Sequence, residues 1–225
     1  MYKMRQFYEL SFYAMISIAT AATSIFIKVT EEMLEGSTHQ IDHMIIMWMR
    51  AGGNGNDPLG PIWLEDFARD VTALGSPVVL GLFVFISSTF LHLINKRRLS
   101  FFMLTVAVGG TLIVTLLKEA FARPRPEFAP ENLLVYTASF PSGHAMISAV
   151  VYLTLGVLIA RIMPNVRLKL YVITISILIT GIVGISRVYL GAHWPSDVLA
   201  GWAIGAAWAS ACGVMAQTLN LDKAR

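Results

Sequence analysis

Residues 101–117 read FFMLTVAVGGTLIVTLL, seventeen positions without a charge, and residue 118 is a lysine. The apolar residues are continuous rather than spaced for one helix face, which marks a segment apolar all round. A helix needs ~20 apolar residues to cross a bilayer core, and this run reaches that length by borrowing its flanks. Five further runs have the same character, at 10–27, 78–94, 145–162, 170–185 and 198–215. Composition agrees. The 225 residues are 56% hydrophobic and 14% charged, well below the roughly 25% charge of soluble domains. The expected fold is therefore all-α, a single-domain bundle of six transmembrane helices over residues 1–225.

Lysine and arginine placement orients the bundle, because cytoplasmic loops are enriched in both. With the N-terminus inside, the short inner segments carry Lys3, Arg5, Lys96, Arg97, Arg98, Arg161, Arg167, Lys169, Lys223 and Arg225, ten of the seventeen basic residues. Both termini are then cytoplasmic. The first run follows Lys3 and Arg5 as a secretory signal would, but it exceeds the ~7–15 residues of a signal core and reads as a retained helix. The net charge of +3 is mild, and the single Cys212 rules out an intrachain disulfide. Nothing points to nucleic acid or to an obligate protein partner. Between the first two spans, 29–77 forms an outer segment with short amphipathic helices at 41–50 and 62–74, joined by a glycine-rich loop at 51–60.

Polar residues cluster where the spans begin and end. Lys118 and Arg123-Pro124-Arg125-Pro126 follow the third span, and Pro141-Ser142-Gly143-His144 precede the fourth. Ser186-Arg187 close the fifth span, followed by His193 and then Asp197 at the start of the sixth. Span parity puts all three clusters on the outer face, and ionisable groups at membrane depth are costly and usually functional. Lys118, Arg125 and Arg187 suit a phosphate: arginine offers a two-pronged donor, lysine a point charge. Such cations also stabilise a five-coordinate transition state. Ser142 and Gly143 head a helix, whose free N–H groups favour an anion. His193, four residues before Asp197, gains a carboxylate that fixes its tautomer and frees the other nitrogen to attack phosphorus. His144 is left as the acid for the leaving group and the base for water.

The patterns Lys-x6-Arg-Pro, Pro-Ser-Gly-His and Ser-Arg-x5-His-x3-Asp resemble the three-part signature of the type 2 phosphatidic acid phosphatase (PAP2) superfamily. All eleven signature positions match. The resemblance implies a six-span lipid phosphatase with a phosphohistidine intermediate and no metal or other cofactor. It assigns Lys118, Arg125, Ser142, Gly143 and Arg187 to the phosphate, His144 to acid catalysis, His193 to attack, and Asp197 to orienting His193. The superfamily's soluble haloperoxidase branch shares the motifs but not the spans. Arg123, outside the signature, is a secondary phosphate candidate.

Other polar groups read as structural. His39, Asp42 and His43 fit a solvated helix face better than a zinc site, Met44, Met47 and Met49 fit packing, and His92 lies near a helix end. Glu119, Glu127 and Glu131 repel phosphate. Gly110, Gly181 and Gly184 fit close helix packing.

The expected substrate is a lipid phosphate at the outer face of an inner membrane, with the site towards the periplasm or exterior. Undecaprenyl diphosphate ranks first because an outward site suits carrier recycling, ahead of phosphatidylglycerol phosphate, phosphatidic acid and a lipid A phosphate. Transfer of the phosphoryl group to another lipid, or a non-catalytic transporter or scaffold, are the competing readings.

Overall fold

The computed structural model describes residues 2–51, 57–128, 137–163, 165–219 and 221. Nine α-helices follow in order among them: α1 (Tyr2–Leu34), α2 (Thr38–Trp48), α3 (Ile62–Ala73), α4 (Pro77–Leu93), α5 (Arg97–Phe121), α6 (Gly143–Ser148), α7 (Thr154–Ile162), α8 (Val166–Tyr189) and α9 (Pro195–Thr218). A two-residue bridge, β1 (Arg50–Ala51) with β2 (Asp57–Pro58), brackets the outer loop, of which residues 52–56 lie outside the described residues. The chain is a multi-pass membrane protein.

Sequence chemistry explains where the helices stop. Ser76 accepts a hydrogen bond from the Val79 N–H at 3.3 Å and Pro77 supplies a preset first turn, so α4 starts there. Asn165 Oδ1 accepts from the Leu168 N–H at 2.9 Å and starts α8. Ala122, in the left-handed region at φ 46°, ends α5 two residues before Pro124. Within α5, Thr105, Thr111 and Thr115 turn their hydroxyls onto the carbonyls of Phe101, Ala107 and Thr111. That pairing lets a polar residue sit in an apolar span.

The spans depart from the expected count in one place. Five segments are each long and apolar enough to cross a membrane, whereas α4 has 17 residues and qualifies only together with α3, across a 44° bend. The fourth span, read as one helix, is interrupted: Ala149–Leu153 forms a π-helical turn between α6 and α7. The outer helices sit close to their expected places, although α1 continues to Leu34 and α2 begins at Thr38.

Half or more of the fourth span and of α9 is buried, against 11% of α1. These two are therefore the central pair, and large apolar side chains such as Phe85, Leu112 and Leu178 stay exposed on outer helices. That surface suits a solvent of lipid chains. Glycines set the close approaches. A Cβ on Gly201 would lie 2.7 Å from the Ser142 carbonyl oxygen, and one on Gly184 would lie 2.3 Å from the Trp202 ring. Gly110 likewise meets Val150, but Gly181 faces open space and is not a packing glycine. An apolar cavity of about 610 Å³ lies between α1, α7, α8 and α9 and touches none of the signature residues.

Gly201→Ala should push α9 off the Ser142 backbone and cost about 1–3 kcal/mol. Thermal unfolding in detergent is expected to show a fall of several degrees for Gly201→Ala and none for Gly181→Ala. Equal melting temperatures would show that the contact yields freely.

Candidate active site

The turn between α8 and α9 carries the centre of the site. Gly191 holds φ +70°, and a Cβ there would lie 2.4 Å from a guanidinium nitrogen of Arg50, so this tight turn requires glycine. Two residues on, His193 is 1% exposed. Its Nδ1 lies 3.5 Å from Asp197 Oδ2 and 3.3 Å from Ser139 Oγ. Its Nε2 lies 3.3 Å from Arg125 Nη1. A guanidinium can only donate, so Nε2 is the acceptor and the ring proton belongs on Nδ1. Burial holds the His193 pKa down to about 3, against the upward pull of Asp197. Folding thus favours the neutral ring. That contribution to stability is complete above the unfolded value near ~6.5 and is lost as pH falls towards 3.

Asp197 is fully buried in the first turn of α9. Oδ2 accepts from the Trp194 N–H at 2.9 Å and from Ser139 Oγ at 2.5 Å. Oδ1 accepts from Arg123 Nη1 at 2.7 Å. Its backbone carbonyl accepts the Ser142 N–H at 2.9 Å, joining the second and third motifs directly.

The three motif cations converge. Lys118 Nζ donates to the Ala138 carbonyl, and the Lys118 stem lies beside Gly143. Arg125 donates to the carbonyls of Thr137 at 3.0 Å and Ala192 at 2.8 Å. Arg187, 3% exposed, donates from Nη1 to Thr72 Oγ1 at 3.3 Å, while its Nε has no partner among the described residues. His144 is near enough to Arg187, His193, Arg125 and Lys118 for all four to act on its charge. Behind it the bend between α3 and α4 presses Gly75 close: a Cβ there would meet His144 Cδ2 at 3.1 Å. All eight signature side chains and glycines proposed for the site therefore gather at one end of the bundle.

Several expectations need correction. Arg123 does not face the cation cluster. It lies, partly buried, between two carboxylates, 2.9 Å from Asp42 Oδ2 and 2.7 Å from Asp197 Oδ1. Asp42 is not on a solvated face: it is 2% exposed, because positions 38, 42 and 46 share the buried side of α2. His39 and His43 do lie exposed, and their rings stack on each other. Met44 is exposed rather than packed. The Ser142 N–H donates to the Asp197 carbonyl and its Oγ accepts the Ala145 N–H at 3.5 Å, so the hydroxyl proton is what Ser142 has left to offer an anion. Glu131 lies outside the described residues. Ser139, Thr72, Gly75 and Ser196 are contacts that no motif or spacing marks.

A membrane bundle that gathers three cations and two histidines at one end defines the class: a membrane phosphatase. Residues 98–221 match the PAP2 superfamily. The chain is 36% identical over 146 residues to phosphatidylglycerophosphatase B of Bacillus subtilis (strain 168), covering 64% of this chain and 70% of that protein. It is 31% identical over 150 residues to undecaprenyl-diphosphatase of Sulfolobus acidocaldarius, covering 60% and 65% respectively. The crystal structure of a transmembrane PAP2-type phosphatidylglycerolphosphate phosphatase from Bacillus subtilis superposes with TM-score 0.73 at 26% identity, covering 92% of this chain and 98% of that one. The structure of LpxE from Aquifex aeolicus gives TM-score 0.51 at 27% identity, covering 71% and 88%. The chain belongs to the PAP2 superfamily, among its membrane lipid phosphatases.

Ring-labelled histidine NMR on the protein in micelles tests the state of His193. The ring is expected to stay neutral, protonated on Nδ1, down to pH 5. A titration centred near ~6.5 would contradict the burial.

Proposed function

We propose that the protein hydrolyses a lipid phosphate or diphosphate through a phosphohistidine on His193. The observation that carries this reading is the orientation of that ring, with Nδ1 on Asp197 and Ser139 and the Nε2 lone pair beside Arg125. Nε2 attacks phosphorus and forms the N–P bond as the bond to the lipid oxygen breaks. The leaving oxygen takes its electron pair and a proton from His144. Water then attacks the phosphohistidine and gives a proton back to His144. The N–P bond breaks, inorganic phosphate leaves, and its electron pair returns to Nε2.

Lys118, Arg125 and Arg187 surround the space where the phosphoryl oxygens would lie, supplying the charge stabilisation that metals provide in other phosphatases. Gly143 opens α6 beside the Lys118 stem, and Asp197 holds the nucleophile's tautomer. The donor set around the phosphoryl position is cationic, and this supports a metal-independent reaction.

Among lipid phosphates we rank phosphatidylglycerol phosphate first, because the Bacillus subtilis phosphatidylglycerophosphatase is similar in sequence and in fold, and undecaprenyl diphosphate second. Phosphatidic acid and a lipid A phosphate follow. The distribution of basic residues supports an inner-membrane location with both termini cytoplasmic and the site on the outer face.

Purified protein should release phosphate from at least one of these four lipids, with no acceptor added and with EDTA present. His193→Ala should lower the rate by about 10⁴-fold or more, and His144→Ala by about 10²-fold or more. Loss of activity in EDTA, restored by a divalent ion, would overturn the metal-free reaction. A requirement for a second lipid would favour phosphoryl transfer.

A further inference from the structure

Asp42 lies on α2, outside every signature motif, yet it faces the nucleophile's supporting carboxylate through one intervening residue. Its Oδ2 accepts from Arg123 Nη2 at 2.9 Å and from Ser196 Oγ at 2.5 Å, and its Oδ1 accepts the Ser196 N–H at 2.8 Å. Arg123 extends its other prong to Asp197 Oδ1 at 2.7 Å and to Ser196 Oγ at 2.7 Å. The Arg123 guanidinium carbon sits 5.7 Å from the centroid of the Trp194 ring. The side chains are 10%, 3% and 0% exposed for Arg123, Asp42 and Asp197, so water screens these charges little.

Charge counting gives the arrangement a purpose. Asp197 beside Arg123 alone would form a neutral pair, and a neutral pair offers little to a histidine gaining positive charge. Asp42 adds a second carboxylate to the same guanidinium. The three groups then carry a net charge of −1, with the Asp197 oxygen nearest His193 left to meet the ring. During attack at Nε2 the imidazole keeps its Nδ1 proton and becomes cationic, so the demand for that charge peaks as the N–P bond forms.

We infer that Asp42 is a positioning residue for the phosphatase reaction, holding Arg123 so that Asp197 keeps a negative charge for the phosphohistidine. This rests on the hydrolytic reading above. Asp42's partners among the described residues are Arg123 and Ser196, not His193 or the cation cluster, so its effect should fall on the chemical step rather than on lipid binding.

The test uses full-length protein in mixed micelles of detergent and phosphatidylglycerol phosphate, with a ring-labelled histidine spectrum as companion. Asp42→Asn keeps shape and hydrogen-bonding capacity but removes the charge. It should lower kcat by about 10- to 100-fold, a range set by one to two pKa units of differential interaction, while KM stays within about twofold. Arg123→Gln added to Asp42→Asn restores the net charge of −1, so the double variant should recover a large part of that loss. A structural role gives the opposite pattern, with the double variant at or below the single one. The His193 Nδ1–H resonance should move in Asp42→Asn and return in the double variant, a readout that needs no turnover. If Asp42→Asn does not fold, Arg123→Lys carries the test: it keeps the net charge of −1, so kcat should stay within about threefold of wild type and the His193 resonance should stay in place, whereas a fall in kcat of about 10-fold or more would overturn the inference. In Asp42→Asn, unchanged kcat, a loss confined to KM, or an unmoved resonance would overturn it. Failure of the wild type to release phosphate from any of the four lipids would instead overturn the hydrolytic reading, and the resonance would still decide the role of Asp42.

Discussion

The carboxylate of Asp197 is the point to which the rest of the functional end is tied. It accepts from the segment after α5 through Arg123, from the stretch before α6 through Ser139, and from its own helix entry through the Trp194 N–H. Its main-chain carbonyl accepts the Ser142 N–H of the second motif. One residue in the first turn of α9 thus fixes the relative placement of all three motif segments. Removing one partner of a buried ion pair typically costs about 3–5 kcal/mol, because a charge is left without compensation. The site and this end of the fold are consequently hard to separate by mutation.

Three cations held close together in a poorly screened place repel one another. The protein offsets this with main-chain oxygens at Ala138, Thr137 and Ala192 and with the Thr72 hydroxyl. Arg187 nevertheless keeps an unpaired nitrogen among the described residues. In the proposed reaction, an arriving phosphate would supply both the missing acceptors and the missing negative charge. Preorganised donors of this kind bind a charged transition state without reorganising at the moment of reaction.

Much of this was legible in the sequence because it is local. Uncharged runs reported the spans, and Pro-Ser-Gly-His, Ser-Arg and His-x3-Asp named residues whose spacing already implies a shared helix end. The contributions that stayed hidden are long-range. Asp42 finds its partners at 123 and 196, Thr72 meets Arg187, and Gly75 abuts His144 across the bundle. No periodicity encodes such pairings. Asp42 had a weak signal, since it is four residues from Thr38 and four from Ile46, and that stripe is the buried face of α2. The histidines on either side made the same stretch look solvated. Gly181 misled for the converse reason: glycine in a span is often a packing contact, but its neighbours decide.

The central claim is covalent, so the most direct measurement is to trap the intermediate. Acid-free rapid quenching of the purified protein with its lipid phosphate, followed by peptide mass spectrometry, should place a phosphoryl group on His193 Nε2. The adduct should be labile in acid and absent from His193→Ala. A phosphoryl group on His144, or turnover with no adduct in a variant such as His144→Ala that slows its hydrolysis, would contradict the account.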